Sequence, residues 1–232
     1  MLEIRPAALA EFSLLPAIEA ESDTLLTALL PALLQGALPL VSTPEMSKPE
    51  MSTPEVSKPA EFSAALHIMV AGRPAVAFAR IEEVDGHAHL QQLSVLPDFA
   101  GQGIGRALVH AAAAWSREAG YRSITLCTFS DLPFNAPFYA SCGFAIIGSP
   151  GPGLAALRDH ERRIGLDAAG RRVVMQRVFA PTPSPVRSRG SSSHLNVAAR
   201  GNSPTENKLK LQVIDVGTAA HADRRRQPTS GA

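Results

Sequence analysis

The chain has 232 residues, of which 45% are hydrophobic, and its formal net charge is +1. This length and composition allow one domain with a substantial core plus additional segments, and the balanced charge gives no reason to expect nucleic acid or an anionic membrane as a partner. The two cysteines, Cys127 and Cys142, have apolar neighbours and are too few for a disulfide framework. We therefore expect two buried thiols in a reducing, cytoplasmic compartment.

No stretch of the chain has the length and hydrophobicity expected of a membrane span. The most apolar segment, Leu25–Leu40, is interrupted by polar residues and prolines such as Pro31 and Pro39. It is also shorter than the roughly 20 residues that a bilayer requires. The first residues lack the basic segment and apolar run of a secretory signal, so we expect neither a membrane partner nor export.

Two segments differ in composition from the rest of the chain. Residues 42–59 repeat a five-residue unit of the type Ser-Thr-Pro-Glu-Met, and a proline in every unit predicts an extended, flexible insertion. Residues 180–232 are rich in proline and serine at their start and carry a net charge of +5, which predicts a disordered basic tail. The alternatives are a docking peptide for the repeat and weak attraction of nucleic acid or acidic proteins for the tail.

The segment before the repeat predicts one strand and two helices. Residues Leu2–Arg5 have the pattern of a short first strand. Leu14, Leu15, Ile18 and Leu25 then recur at helical spacing. Asp23 is a candidate cap for a second helix over Leu25–Leu34.

The segment after the repeat predicts strands and helices that together form one α/β domain over residues 1–179. The turns Gly72-Arg73 and Asp85-Gly86 separate three consecutive strands, and the second turn is typical of a hairpin. Gly120 and Gly143 are expected to end two of the helices. The predicted strands are Ala65–Val70, Pro74–Glu83, His87–Val95, Ser123–Thr128, Phe144–Gly148 and Arg172–Val178, and the predicted helices are Ile104–Ala119, Ala136–Ser141 and Leu154–Arg163.

Alternating glycines join the strand over His87–Val95 to the following helix. Gly101, Gly103 and Gly105 lack Cβ atoms, so the backbone N–H groups around them can turn toward one centre. The first turn of the helix adds N–H groups without helical partners and the positive end of the helix dipole. This arrangement predicts a pyrophosphate site, although a tight strand-to-helix turn alone would also account for the glycines.

Two other phosphate-binding motifs do not fit this segment. A dinucleotide-binding motif requires Gly-x-Gly-x-x-Gly in a first βαβ unit and an acidic residue at the end of the next strand. This chain has Gly-x-Gly-x-Gly after strands of antiparallel type, and Ser123–Thr128 does not end in a carboxylate. A P-loop requires Gly-Lys-Ser/Thr after its glycines, and that sequence is absent.

Two motifs resemble those of the GNAT superfamily of acetyltransferases. The run Ala100-Gly101-Gln102-Gly103-Ile104-Gly105 resembles its acetyl-CoA signature, Gln/Arg-x-x-Gly-x-Gly/Ala, and the preceding Leu-x-Val-x-Pro is also typical of the family. About 30 residues later, Asn135-Ala136-Pro137-Phe138-Tyr139 followed by Gly143-Phe144 resembles the second motif. The resemblance extends over about residues 2–178. It implies the acyl-CoA N-acyltransferase fold, in which helices flank a mixed, mostly antiparallel central sheet.

The resemblance also implies acetyl-CoA as acyl donor and gives roles to particular residues. Tyr139 would protonate the departing thiolate, and the Val95 N–H would stabilise the oxyanion. A buried core tyrosine and a helix N-cap are the structural alternatives for Tyr139 and Asn135. No metal site is predicted. The residues expected to bind the cofactor are Leu93, Val95, Ala100, Gly101, Gln102, Gly103, Ile104, Gly105, Arg106 and Asn135.

Two positions depart from the pattern of the family. Ala100 occupies the Gln/Arg position of the signature, so we expect weaker cofactor binding that relies on backbone contacts. Many members place a glutamate base on the strand before the loop, where this chain has Gln91 and Gln92. His89 and Glu83 are the candidate substitutes, with an exposed strand position as the alternative for each.

The predicted function is therefore transfer of an acetyl group to the primary amine of a small molecule or protein. One alternative is a GNAT-fold CoA-binding module that has lost activity, because of Ala100 and the missing glutamate. Another is a scaffold whose repeat and basic tail are the interaction surfaces. Pairing into a homodimer is frequent in the superfamily, and the sequence favours neither a monomer nor a dimer.

Overall fold

The computed structural model describes residues 2–24, 59–132 and 134–180. The predictions of a helix over Leu25–Leu34, of an extended repeat and of a basic tail lie outside these residues, except that the last residue of the repeat, Pro59, begins a helix. The strands are β1 (Ile4–Pro6), β2 (His67–Ala71), β3 (Ala77–Val84), β4 (His87–Val95), β5 (Ser123–Phe129), β6 (Ala145–Ile146) and β7 (Arg172–Val178). The helices are α1 (residues 15–24), α2 (Pro59–Ser63), α3 (Ile104–Glu118), α4 (Ala136–Ser141) and α5 (Pro152–Arg163).

The strands form one mixed sheet in the order β1-β2-β3-β4-β5-β7-β6. Only β4 and β5 are parallel, and every other neighbouring pair is antiparallel. The predicted mixed, mostly antiparallel α/β fold is confirmed. Strand β4, strand β7 and helix α4 have the predicted bounds, whereas the predicted ends of the other elements differ by one to three residues.

Local sequence signals account for the turns that were predicted correctly. Asp85 and Gly86 have φ angles of 54° and 72°, and two successive positive φ angles are what a tight two-residue hairpin requires. Gly143, with φ of 88°, follows α4 as expected. Asp23 does not begin a second helix in the described chain, because residues 21–24 continue α1.

Helices pack on both faces of the sheet because side chains alternate along each strand. On one face, Ala79 and Leu126 belong to an apolar cluster with Leu108 and Ala112 of α3. On the other face, Phe78 packs with Ile18 of α1 and Phe62 of α2. Cys127 packs on that same face with Leu154 and Leu157 of α5.

Both cysteines are free and buried, as predicted. Burial raises the pKa of Cys127 to about 12 and also raises that of Cys142. Because a thiol must ionise to become a strong nucleophile, both residues act as small apolar groups in the core.

A contact between the hairpin and α5 sets the position of that helix. The carboxylate of Asp85 accepts hydrogen bonds from the N–H groups of Gly153 and Leu154, at 2.7 Å and 2.9 Å. These N–H groups lie in the first turn of α5, where no helical partner is available. Asp85 therefore caps a helix that begins 67 residues later in the chain.

Candidate functional site

The candidate site is a gap between β4 and β5. These two strands are paired only at Ala88 with Ile124 and at His89 with Thr125. Beyond these pairs, β4 continues to Val95 and β5 to Phe129 without further pairing to each other, although β4 stays paired with β3 and β5 with β7. Both unpaired ends lead to predicted site residues, the glycine loop after β4 and helix α4 after β5.

A bulge in β4 accompanies the separation of the strands. Opposite β3, Arg80 pairs with Gln92 and Ile81 pairs with Leu90, so Gln91 is the extra residue. The bulge shifts the side-chain alternation of β4 by one residue. Leu90 and Leu93, which are three residues apart, therefore both face the core beside α3.

The register also fixes which backbone groups face the gap. Leu96 N–H donates to Val76 O at 2.9 Å, and Val95 lies opposite Ala77. Because hydrogen-bonding groups alternate sides along an antiparallel strand, the N–H and C=O groups of Val95 and Leu93 point away from β3, toward β5. Two predicted cofactor residues thus present backbone donors and acceptors along the unpaired part of β4.

The glycine loop lies at the end of β4 and begins α3. Gly101 and Gly103 have φ angles of 78° and 77°, a backbone conformation that favours glycine. The first backbone bond of α3 runs from Ala107 N–H to Gly103 O. The N–H groups of residues 104–106 precede that bond and are exposed to a ligand at the helix N-terminus.

The alanine in the signature has an extended backbone. Ala100 has φ of −65° and ψ of 150°, and its N–H donates to Pro97 O. Gln102 donates from Nε2 to Asp98 O at 3.2 Å, so its side chain braces the loop from outside. The loop therefore offers its backbone rather than a long side chain from residue 100.

Helix α4 carries two buried polar side chains that lack partners. Asn135 and Tyr139 have 0% relative exposure. Among the described residues, the amide nitrogen and oxygen of Asn135 and the hydroxyl of Tyr139 have no hydrogen-bond partner. Asn135 occupies the N-cap position, but its side chain does not cap the helix, so the structural alternative for its amide does not hold.

Tyr139 sits in an aromatic environment between Phe138 and Phe144, whose rings are 5.2 Å and 5.8 Å from its own. Burial raises the pKa of Tyr139 above its ordinary value, with the neighbouring Cys142 adding to the effect. The phenol is therefore a neutral hydrogen-bond donor. A buried donor without an acceptor costs about 1–3 kcal/mol, which is the property expected of a group that meets a ligand.

Sequence reasoning missed Thr128 on the unpaired part of β5. Its hydroxyl is buried and has no partner among the described residues, and it lies two residues after Leu126, on the same face as α3. On the β4 side, Gln91 and Gln92 each have a buried Oε1 without a partner in the described chain. No motif identified Thr128, because a threonine in a buried strand is ordinary in sequence.

Arg106 contacts α4. Its guanidinium donates to the hydroxyl of Ser141 at 3.0 Å and lies over the ring of Phe138, 5.4 Å from the centroid. It is also 3.6 Å from the sulfur of Cys142. The Arg106 side chain thus ties the first turn of α3 to α4, while its backbone N–H belongs to the helix N-terminus.

The two candidates for a base lie in different environments. Glu83 is exposed and accepts a hydrogen bond from Tyr121 at 2.6 Å, and its register partner is Ala88, at the far end of β4 from Val95. His89 has 1% relative exposure, so the interpretation of a surface histidine is wrong.

His89 is held in one tautomer. Its Nδ1 lies 2.9 Å from the hydroxyl of Thr125, which itself donates to Ala88 O. The single hydroxyl proton is thereby used, so His89 Nδ1–H donates and Nε2 keeps its lone pair. Burial lowers the pKa of His89 to about 4, so the ring is neutral at neutral pH.

The residues of the gap fit a long ligand with a pyrophosphate at one end and amides along its arm. The loop and the first turn of α3 offer N–H groups, and the unpaired β4 backbone offers donors and acceptors. The partnerless amide of Asn135 and phenol of Tyr139 add buried polar groups. Among the described residues, no group of three or more His, Cys, Asp or Glu side chains has a metal-binding arrangement.

Comparison with known proteins identifies the family. The model of the Acetyltransferase (GNAT) family matches residues 38–144, which include the glycine loop, β4, β5 and α4. The resemblance to the GNAT family of acetyltransferases is therefore confirmed over these residues.

The chain is also similar to solved structures. One is a putative streptothricin acetyltransferase from Bacillus anthracis with acetyl coenzyme A, at 18% identity and a TM-score of 0.43 over 52% of this chain and 68% of that chain. A second is the PaiA N-acetyltransferase from Thermoplasma acidophilum with coenzyme A, at 14% identity and a TM-score of 0.47 over 77% and 99%. A third is the ribosomal-protein-S18-alanine N-acetyltransferase from Escherichia coli, at 16% identity and a TM-score of 0.47 over 81% and 99%.

Within the part of the chain that the structure describes, none of the helices combines the length and the apolar composition of a membrane span.

Proposed function

We propose that the protein transfers the acetyl group of acetyl-CoA to a primary amine of a small molecule or protein, by direct attack on the thioester in the gap between β4 and β5. The observation that carries this proposal is the concentration of buried, partnerless polar atoms beside the unpaired strand ends, at Thr128, Asn135 and Tyr139. In a folded protein most buried polar atoms are hydrogen-bonded, so several partnerless polar atoms close together indicate a ligand site.

Each part of the donor substrate has a matching group. The pyrophosphate would bind the N–H groups of Gly101 to Arg106, where the helix dipole favours negative charge. The amides of the pantetheine arm would bind the backbone of Leu93 and Val95 and the side chain of Asn135. The sulfur would lie beside Tyr139.

The chemistry then follows from these positions. The amine nitrogen attacks the thioester carbon, and negative charge develops on the carbonyl oxygen, where the Val95 N–H can donate to it. The C–S bond breaks as the intermediate collapses, and the thiolate takes the proton of the Tyr139 hydroxyl. The cationic nitrogen loses its extra proton to water, and Tyr139 regains a proton from water. Burial raises the pKa of a thiol as well as that of a phenol. The departing thiolate is therefore a stronger base in the gap than in water, which favours its protonation.

The acceptor amine must lose a proton before it attacks, and the residues of β4 limit which group can accept that proton. An alkylamine has a pKa near 10.4, whereas Gln91 and Gln92 cannot accept a proton. With its pKa lowered to about 4, His89 is a weak base. We therefore propose that the amine releases its proton to water before it attacks, so that turnover rises with pH up to the pKa of the acceptor.

The first experiment is calorimetric titration of the protein with acetyl-CoA, with NAD as a negative control. We expect acetyl-CoA alone to bind, and an amine screen with detection of the released thiol then identifies acceptors. Gly103→Trp should abolish binding, because a bulky side chain at a positive φ displaces the loop from the pyrophosphate.

Gly86→Trp is the matched control for that variant. Gly86 has φ of +72° against +77° for Gly103, and a Cβ at either position meets no atom within 4 Å. Both variants therefore impose a similar backbone strain, but Gly86 lies in the β3–β4 hairpin. Retained binding in Gly103→Trp, or an equal loss in Gly86→Trp, would remove the loop from the proposal.

A CoA-binding protein without turnover is the second candidate. It is favoured by Ala100, which offers no polar side chain to the pyrophosphate, and by the glutamines at the position of the usual glutamate. This candidate predicts acetyl-CoA binding in the titration and no thiol release with any amine in the screen. Measurable turnover excludes it.

A further inference from the structure

A second buried polar region lies between α5 and β7, on the face of the sheet opposite α3. The carboxylate of Glu161 has 0% relative exposure and accepts hydrogen bonds from Arg172 at 2.7 Å and 2.8 Å. Arg158 also donates to it. Arg158 further donates to Asp167 at 2.7 Å, and Arg162 donates to Asp159 at 2.6 Å.

The charges of this region do not balance. Four arginines, at positions 158, 162, 171 and 172, face three carboxylates, at 159, 161 and 167. None of the ion pairs of the described residues includes Arg171. The Arg172 side chain is 1% exposed, and its Nη1 is buried without an acceptor among the described residues.

The same arginines line a cavity of about 340 Å³. The cavity lies at the edge of the sheet, where β6 ends after two residues while β7 runs on to Arg172. Asp159, which is paired with Arg162, also lines the cavity, and the other walls are mostly apolar and include Ile147, Pro150 and Val174. The volume falls at the lower end of the range for small-molecule sites.

We propose that this cavity binds a small organic oxyanion, a carboxylate or phosphate attached to an apolar group. The guanidinium groups of Arg171 and Arg172 supply N–H donors in the planar arrangement that suits carboxylate and phosphate oxygens. A bound anion offsets the excess of arginines over carboxylates. It also supplies an acceptor for the buried Nη1 of Arg172. The apolar body of the ligand packs against Ile147, Pro150 and Val174.

The proposed anion site is independent of acetyl transfer. Strand β5 separates β7 from β4 in the sheet, and none of the residues assigned to the gap lines the cavity. Binding at either site can therefore be tested without the other.

The test is calorimetric titration of the full chain with benzoate and with phenyl phosphate, and with neutral benzamide as an uncharged analogue. We expect benzoate or phenyl phosphate to bind at least tenfold more tightly than benzamide, and the stronger of the two shows whether carboxylate or phosphate is preferred. Arg171→Gln should weaken that binding at least tenfold. Because Arg171 is exposed and outside the ion pairs, this variant is expected to fold normally.

Arg163→Gln is the control, because Arg163 is an exposed arginine at the end of α5 that does not line the cavity. It should bind the probes as the unaltered chain does. The proposal is overturned if neither anion binds at millimolar concentration, if benzamide binds equally well, or if Arg163→Gln weakens binding as much as Arg171→Gln.

Discussion

In the gap between β4 and β5, the amide of Asn135 and the phenol of Tyr139 are buried and have no partner in the described chain. Between α5 and β7, by contrast, the buried carboxylate of Glu161 is bonded to both Arg158 and Arg172. A neutral polar group without a partner costs about 1–3 kcal/mol, whereas an unpaired buried charge costs several times more. The fold can therefore leave neutral groups available to a ligand, but it must neutralise its buried charges.

The comparison separates residues that serve binding from residues that hold the fold. Loss of a polar group from the gap should reduce function and leave stability unchanged or higher. Loss of a charge from the region around Glu161 should lower stability first. Three variants test this contrast, beginning with the largest expected effect.

Glu161→Gln should lower the free energy of unfolding by about 3–5 kcal/mol, because it leaves two buried arginines without their shared carboxylate. Chemical denaturation measures the change. The control is Glu118→Gln, at the exposed end of α3, which should alter the unfolding free energy by less than about 0.5 kcal/mol. Equal stability of the two variants would show that Glu161 is not the anchor of α5.

His89 tests whether a buried group that stays neutral also contributes to stability. Its pKa is about 4 in the folded chain and near 6.5 when unfolded, so the folded state binds fewer protons between these values. The stabilisation is complete above pH 6.5 and is lost as the pH falls toward 4, by roughly 3 kcal/mol in total.

Denaturation at several pH values checks this expectation. In His89→Gln the unfolding free energy should fall less steeply between pH 6.5 and 4 than in the unaltered chain. Identical slopes in the two proteins would mean that the pKa of His89 is the same in the folded and the unfolded chain.

Tyr139→Phe should lower turnover about tenfold to a hundredfold, the lower range of the effect of losing a general acid. Acetyl-CoA affinity should stay within about twofold, and stability should stay equal or rise by up to about 1 kcal/mol, since a partnerless hydroxyl is removed. Steady-state kinetics, calorimetry and denaturation measure the three quantities on one preparation.

Tyr121→Phe is the control for Tyr139→Phe, because Tyr121 is the other tyrosine and its hydroxyl bonds to Glu83 on the surface. It should leave turnover unchanged. Unchanged turnover in Tyr139→Phe as well would make Tyr139 a packing residue.

Much of the fold could be predicted from local sequence. The pair Asp85-Gly86 adopts the two positive φ angles that its hairpin requires, and the glycine that follows α4 was correctly expected to end it. These signals are local, because a turn or a helix end is set by the residues that form it. The two motifs likewise indicated the family, which the match over residues 38–144 bears out.

Other predictions failed where distant residues decide the outcome. His89 has the sequence surroundings of a surface strand, but in the folded chain its ring is hydrogen-bonded to Thr125 of β5 and is 1% exposed. Asp23 looked like the cap of a new helix, whereas α1 continues through it. The cap of α5 is Asp85, which no pattern near residue 152 could indicate.

By itself the sequence determined the order of the elements, the turns, the glycine loop and the bounds of helix α4, because each depends on backbone preferences within a few residues. The choice of Asn135 and Tyr139 came from the resemblance to the family motif. Only the tertiary structure decided the bulge at Gln91, the separation of β4 from β5, the partnerless hydroxyl of Thr128 and the arginines around Glu161. Strand register and burial arise from contacts between segments far apart in the chain. A residue gains or loses its hydrogen-bond partners only when those segments have come together.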